Sequence, residues 1–184
     1  GFESDSNRAA KDVIVCDSKG IISRNRQDLN LTKEELLNYS NNEDRIGTLS
    51  EALVDADVFI GVSRGNVVTA KDIRKMAKDP IIFAMANPIP EIMPEEALRA
   101  GAKVIGTGRS DFPNQVNNVL VFPGIFRGAL DGRAKTITNK MKIAASEALA
   151  NCVDIPSPDL ILPHPLDRTV APAIAKMVRA ASRE

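Results

Sequence analysis

The sequence is poor in the side chains from which metal centres and crosslinked scaffolds are built. It has two cysteines, Cys16 and Cys152, and one histidine, His164, in 184 residues. Cysteines so far apart, in a chain too large to need stapling, have no disulfide-framework spacing. One histidine and two cysteines cannot assemble a Cys/His zinc site. The thiols are therefore expected to be buried and reduced, as in a cytoplasmic protein. Charge of one sign is lacking too: Lys and Arg number 24 against 24 Asp and Glu. Nothing here draws a polyanion, so nucleic acid is not expected as a partner. No apolar run reaches the roughly 18 residues that a spanning helix needs. The opening "GFESDSNRAAKD" lacks the apolar stretch of a signal peptide. Neither a membrane nor export is expected.

What the chain does have is the composition of a globular protein, 43% hydrophobic and 26% charged, and enough length for one domain with its own core. Four short runs rich in Val and Ile, "DVIVC" (12–16), "DVFIG" (57–61), "PIIFAM" (80–85) and "AKVIGTG" (102–108), have the character of parallel strands buried on both faces. Helical patterns lie between them. Thr32 with Glu35, and Thr48 with Glu51, have the spacing of a reciprocal helix cap. Thr69 can open a helix that buries Ile73, Met76 and Ala77. Pro94 suits a first turn and Gly101 the position just past a last one. After Gly108 the strands give way to "NQVNNVLVF", "PGIFRGALDGRA", "TNKMKIAASEALANC" and "TVAPAIAKMVRAAS", all read as helices. The last should bury Val170, Ile174, Met177 and Val178, with Pro172 confined to its first turn. The alternation predicts an α/β body, a parallel sheet covered by helices, with helices at the C-terminal end.

Ligands of such sheets gather at the carboxyl ends of the strands. Asp17 ends the first run, where a carboxylate can accept both hydroxyls of an adenosine ribose and would repel a 2′-phosphate. Lys19 could soften that repulsion, and a turn-forming Asp explains the letter equally well. In "FIGVSRGN", Gly61 and Gly65 would let backbone approach a flat ligand, and Ser63 can donate a hydrogen bond; a surface loop has the same composition. Asn87 follows the third run directly and precedes Pro88, which holds it away from helix. Turn punctuation accounts for the dipeptide but not for its place at a strand end.

The fourth end, "VIGTGRSDFPNQVNN" (104–118), invites comparison with the G-x-G-x-x-G pyrophosphate turn. Gly106 and Gly108 match, but Asp111 stands where the third glycine belongs and Pro113 follows at once. What remains is a loop bearing Arg109, Ser110 and Asp111, leading to a helix expected to begin near Asn114 and to carry Asn117 and Asn118. A helix start suits an anion such as a carboxylate. Plain capping by Asn114, with Asn117 and Asn118 facing solvent, is the competing reading.

Taken in order, "DSKGII", "ADVFIGVSRGN", "PIIFAMANPIPEI", "GTGRSDFPNQVNNVLVFPGIFRGALD" and "PHPLDRTVAPAIAKMV" resemble the cofactor domain of malic enzymes, especially the shorter bacterial type, from Asp12 to the C-terminus. The resemblance implies a partial Rossmann-like doubly wound parallel sheet with C-terminal helices. Residues 1–11 would be a polar N-terminal segment, and 12–184 part of an NAD(P)-binding domain with its helical cap from about 133. It also implies NAD or NADP as cofactor, L-malate as substrate, pyruvate and CO₂ as products, and Mg or Mn as metal. Asp17 would take the adenosine-ribose place, with Gly61 and Ser63 along the cofactor. Asn87 would lie between nicotinamide and malate, and Asn117 and Asn118 near the substrate carboxylate. Asp17 favours NAD, while Lys19 keeps NADP open. A homodimer or larger assembly is expected.

The family's glycine turn, its proton-transferring Tyr and Lys, and its metal carboxylates precede the matching segments and have no counterpart here. No catalytic or metal-binding residue is therefore assigned to this chain, which by itself is expected to be inactive. Without the family's central first strand, apolar faces and strand edges should lie open. A non-catalytic nucleotide-binding module and a different NAD-dependent dehydrogenase are the alternatives.

Overall fold

The computed structural model describes residues 10–183; of the expected segment 1–11, residues 1–9 lie outside the described residues. Three of the four apolar runs form the sheet. They are β3 (Val58–Gly61), β4 (Ile81–Ala84) and β5 (Val104–Thr107), parallel and in the order β3-β4-β5. Val58 pairs with Ile81, which in turn pairs with Val104, so the strands are in step and all end at one level.

The first run departs from expectation. It contributes only β1 (Cys16–Asp17), which pairs antiparallel with β2 (Gly20–Ile21) in a separate two-stranded hairpin. A run of this kind becomes a sheet strand only if a parallel neighbour takes its backbone bonds. Here the Val15 carbonyl accepts from the Ile22 amide at 2.9 Å and the Val13 carbonyl from the Asn41 amide at 2.9 Å. Gly20, at φ 112°, supplies the left-handed backbone that closes the hairpin.

The crossovers are short. The helix α1 (Leu31–Leu36) is capped by Asn30, whose side chain accepts from the Lys33 amide, so Thr32 lies inside the helix and the expected Thr32–Glu35 cap does not form. Asn30 prevails because it occupies the extended residue just before the first turn. At α2 (Leu49–Ala52) the Thr48–Glu51 cap is present. Thr69 opens α3 (Ala70–Ile73), with Asp72 accepting from its amide and hydroxyl. Pro94 starts α4 (Pro94–Ala100), and Gly101 ends it at φ 114°.

One face of the sheet packs into a core of Phe59, Ile82, Ala84 and Ile105 against Ile73, Met76, Ala97 and Ala100; Ala77 is only half-buried. The other face is less covered than runs buried on both sides would be. Val58 is exposed and Ile60 is 62% exposed, and neither belongs to a hydrophobic core among the described residues.

Beyond β5 a second core forms around α5 (Phe122–Asp131), α6 (Asn139–Ala150) and α7 (Val170–Ala181). It already includes Leu120 and Ile125, upstream of a boundary at 133. Pro172 sits in the first turn of α7, as its chemistry requires. Val170, Ile174 and Val178 are buried, but Met177 is 42% exposed. By helical angle it lies about 20° beyond Val170, at the margin of the stripe, while Ala175 extends the buried arc on the opposite side, next to Val178.

The close approach of α5 and α7 depends on two small residues. A Cβ on Gly124 would stand 2.6 Å from the Ile174 Cβ, and one on Gly128 would stand 2.6 Å from the Ala175 carbonyl oxygen and 2.7 Å from the Val178 Cβ. Gly128→Ala should therefore destabilise, although alanine is the better helix former by about 1 kcal/mol, because overpacking costs roughly 1–3 kcal/mol. The expected outcome is a net loss of about 1 kcal/mol, read as a lower urea midpoint; an unchanged or higher midpoint would show that the helices can separate freely.

Candidate functional site

Because the sheet strands are parallel and in step, Gly61, Ala84 and Thr107 end at one side, and the segments that follow them share that side. Ser63 lies two residues beyond β3 and Asn87 three beyond β4; both are exposed. The Met85 amide donates to the Gly61 carbonyl at 3.0 Å, extending the ladder to the point where the two loops diverge.

After β5 the chain does not enter a helix at Asn114. Asn114 is left-handed, at φ 54°, and buried. Its amide nitrogen donates to the carbonyls of Ile105 (3.1 Å) and Pro158 (2.8 Å), and its oxygen accepts from the Ile161 amide at 2.9 Å. It is a pin between β5 and the C-terminal loop, not a cap. Gln115 then bridges Thr107 in parallel, and the Val116 amide donates to the Thr107 carbonyl at 2.7 Å, so the chain runs on past the strand ends.

There Asn117 caps a single 3₁₀ turn, Asn118–Leu120, by accepting from the Val119 amide at 3.0 Å. The capping expected of Asn114 is thus done by Asn117, through its oxygen. Among the described residues the Asn117 amide nitrogen and the side chains of Asn118, Asn87 and Ser63 have no hydrogen-bond partner. Gly61, Ser63, Asn87, Asn117 and Asn118 are thereby brought to one end of the sheet.

The glycines of the β3 loop meet a requirement of the chain's own packing. A Cβ on Gly61 would stand 2.5 Å from the Glu91 side chain, and one on Gly65 would stand 2.8 Å from Ile89. The chain's own residues fill the space that the missing side chains leave. Gly106, likewise, faces Phe83 and Val116 at 3.0 Å, which agrees with reading its stretch as something other than a phosphate cradle.

Asp17 is not on this sheet. It sits at the turn of the β1–β2 hairpin, its side chain 15% exposed, in a cluster of charges. Arg26 donates to both carboxylate oxygens, at 2.8 and 3.0 Å, Lys33 to one at 2.5 Å, and the Lys19 amide at 2.9 Å. The Lys19 ammonium pairs instead with Asp28, at 2.7 Å, and Arg26 also reaches Asp28 at 2.8 Å. Lys19 was the expected moderator of the Asp17 charge; Arg26 and Lys33 do that work, and no sequence spacing pointed to them. The Arg26 hydrogen bonds foremost, then those of Lys33 and the Lys19 amide, outweigh burial and hold the Asp17 carboxyl well below the ordinary carboxylate range.

Two surface depressions, of about 570 Å³ between α5 and α7 and about 330 Å³ beside residues 134–141, are lined by none of the candidate residues. Among the described residues no three His, Cys, Asp or Glu side chains converge as a metal ion would require. Cys16 and Cys152 are free but half-buried rather than fully buried. Burial, ahead of the Asp17 charge, pushes the Cys16 thiol up to about 11. No described helix is long and apolar enough to cross a membrane.

A parallel α/β sheet with polar loops gathered at its carboxyl ends defines a fold of the Rossmann-like class. Within that class, residues 3–182 match the family model for the malic enzyme NAD-binding domain, and the chain belongs to that family. It is 57% identical over 177 residues to a bifunctional malic/malolactic enzyme of Bacillus subtilis, covering 95% of this chain and 43% of that protein. It is 47% identical to an NADP-dependent malic enzyme of Rhizobium meliloti, covering 95% of this chain and 25% of that one. The crystal structure of an NAD-dependent malic enzyme from Thermotoga maritima superposes with a TM-score of 0.88 at 46% identity, over 92% of this chain and 45% of the other. The chain spans less than half the length of these relatives.

Removing the Asp17 charge should expose its structural weight. A carboxyl depressed by folding contributes stability above its unfolded pKa and loses it as pH falls through the range below. Asp17→Asn leaves Arg26 and Lys33 without their shared anion and should cost about 2 kcal/mol at pH 7. It should also flatten the loss of stability between about pH 5 and pH 2 in acid titrations followed by circular dichroism. An unaltered acid limb would show that the cluster does not couple to folding.

Proposed function

We propose that this chain is the cofactor-binding portion of an NAD(P)-dependent malic enzyme, which oxidises L-malate and releases CO₂ to leave pyruvate. The observation that carries the reading is the gathering of side-chain donors that have no partner among the described residues (Ser63, Asn87, Asn118 and the Asn117 amide nitrogen) at the carboxyl end of a parallel sheet, in a chain of this family. A dinucleotide held along Ser63 and the Gly61 backbone would supply the hydride acceptor for the malate C2. The chain's own residues bind and orient. Ser63 and the Gly61 backbone lie along the dinucleotide, and Asn87 reaches between nicotinamide and malate. Asn117 and Asn118 donate to a carboxylate of malate or pyruvate, hydrogen bonds strengthened by the charge of the acceptor. Asp17 takes the adenosine ribose. Proton transfer and the Mg or Mn ion that polarises the ketone are left to other parts of the intact protein.

The charge cluster favours use of both dinucleotides. Asp17 and Asp28 face three cations, Lys19, Arg26 and Lys33, so a 2′-phosphate meets a locus with an excess of positive charge rather than a bare carboxylate. Half-buried free thiols support a cytoplasmic setting. The bare β3 edge, with Ile60 and Val62 exposed, supports work within a larger protein, as a homodimer or higher assembly. Balanced charge favours a small-molecule substrate over nucleic acid.

Two measurements on the full-length enzyme test this reading. Asn117→Ala and Asn118→Ala should raise the malate KM or lower kcat by about tenfold or more, each removing a hydrogen bond to a charged group worth roughly 1.5–3 kcal/mol; unchanged constants in both would remove these residues from the site. Lys33→Glu should lower the NADP-to-NAD ratio of kcat/KM by about tenfold or more, and a constant ratio would dissociate the cluster from cofactor choice.

A further inference from the structure

Glu91 is fully buried, at 0% exposure, and no lysine, arginine or histidine pairs with it among the described residues. Its partners are backbone amides from two different loops. One carboxylate oxygen accepts from Ser63 at 2.8 Å and the other from Ala86 at 3.0 Å. Ser63 belongs to the loop after β3, and Ala86 precedes Asn87 in the loop after β4. The backbone repeats the link: the Glu91 carbonyl accepts from the Val68 amide at 3.0 Å, and that of Pro90 from Asn66 at 3.1 Å. Gly61 is held to a residue without Cβ by this same side chain.

Burying a carboxylate without a cation is costly, and an apolar side chain would fill the space at less cost. What an apolar side chain, or glutamine, cannot do is accept from two separate N–H groups on two oxygens. Glutamine would turn its NH₂ toward one of the donors. We infer that Glu91 is a positioning residue: by clamping the amides of Ser63 and Ala86 it sets the spacing of the two strand-end loops, and with it the presentation of Ser63 and Asn87 to the nicotinamide dinucleotide. The second half of this inference rests on the function proposed above.

The test is Glu91→Gln in the full-length enzyme, with Glu96→Gln as its control. Glu96 is an exposed α4 carboxylate that accepts from the Ala70 amide at 3.2 Å and touches neither loop. Three readouts are compared: amide hydrogen exchange, the Kd for NADH and NADPH by nicotinamide fluorescence, and the KM values for cofactor and malate alongside kcat. Glu91→Gln should accelerate exchange at Ser63 and Ala86 while leaving α6 and α7 unchanged. It should raise the dinucleotide Kd and KM about tenfold to a hundredfold, the scale on which small misplacements act, with Glu96→Gln near the unmodified enzyme in both. If Glu91→Gln does not accumulate as folded protein, Glu91→Asp, which keeps both acceptors on a shorter arm, is read by the same criteria. Exchange that is unaltered at the two amides, or accelerated uniformly through the chain, overturns the positioning role. Local acceleration with an unmodified enzyme that binds neither dinucleotide supports the clamp and overturns the proposed function instead. Local acceleration with unchanged Kd and KM overturns the link from clamp to cofactor.

Discussion

Because β3, β4 and β5 pair in parallel, each strand must be re-entered from the same side, and each must end on the side opposite. Everything that gives the chain a site follows from that constraint. The crossovers carry the structural work, through the Thr48, Thr69 and Pro94 helix starts and the Gly101 stop. At the carboxyl ends polar residues can accumulate without interrupting a core. Ser63, Asn87, Asn117 and Asn118 come from three loops far apart in sequence. The register of the sheet, continued by the Thr107–Gln115 bridge, brings their loops to one end.

Those loops would be loose if only strand ladders held them. Each is instead anchored by a buried polar residue accepting from backbone amides. Glu91 holds the loops after β3 and β4, and Asn114 holds the loop after β5 to residues 158–161. A backbone amide at a loop base must find an acceptor once it is buried, and a side chain reaching from a neighbouring segment meets that need while fixing where the loop stands. The two anchors differ in kind. Asn114 both donates and accepts, which suits a site with carbonyls and an amide; Glu91 only accepts, which suits a site with amides alone.

Much of this was legible in the sequence, for reasons that can be named. The strands at 58–61, 81–84 and 104–107 are runs with little competing chemistry, and Thr48–Glu51, Pro94 and Gly101 are signals that act within one helical turn. The expected strand at 12–16 was not local in this sense. Whether Val13 and Val15 join a parallel sheet depends on a neighbour that takes their carbonyls, and here Asn41 and Ile22 take them. Asn114 was misread for a similar reason. A helix start and a left-handed pin look alike in "FPNQV", and the difference is made by Pro158 and Ile161, more than 40 residues on. The partners of Asp17 were out of reach too, since Arg26 and Lys33 meet it only through the hairpin and the turn into α1.

The glycines show how a signal for close approach can be answered within the protein itself. Gly61 and Gly65 mark a loop where something must come close, and a ligand was the natural candidate. The structure puts Glu91 and Ile89 there, both from the β4 loop. The requirement for glycine is thus met inside the protein, and it says that two loops are pressed together before any ligand arrives. That is the more useful property for a binding site, because a loop already held by its neighbour loses less freedom on binding and presents its polar groups in a fixed geometry. The acceptor Glu91 buried between the loops, not open space in front of the glycines, is what gives this end of the sheet a defined shape.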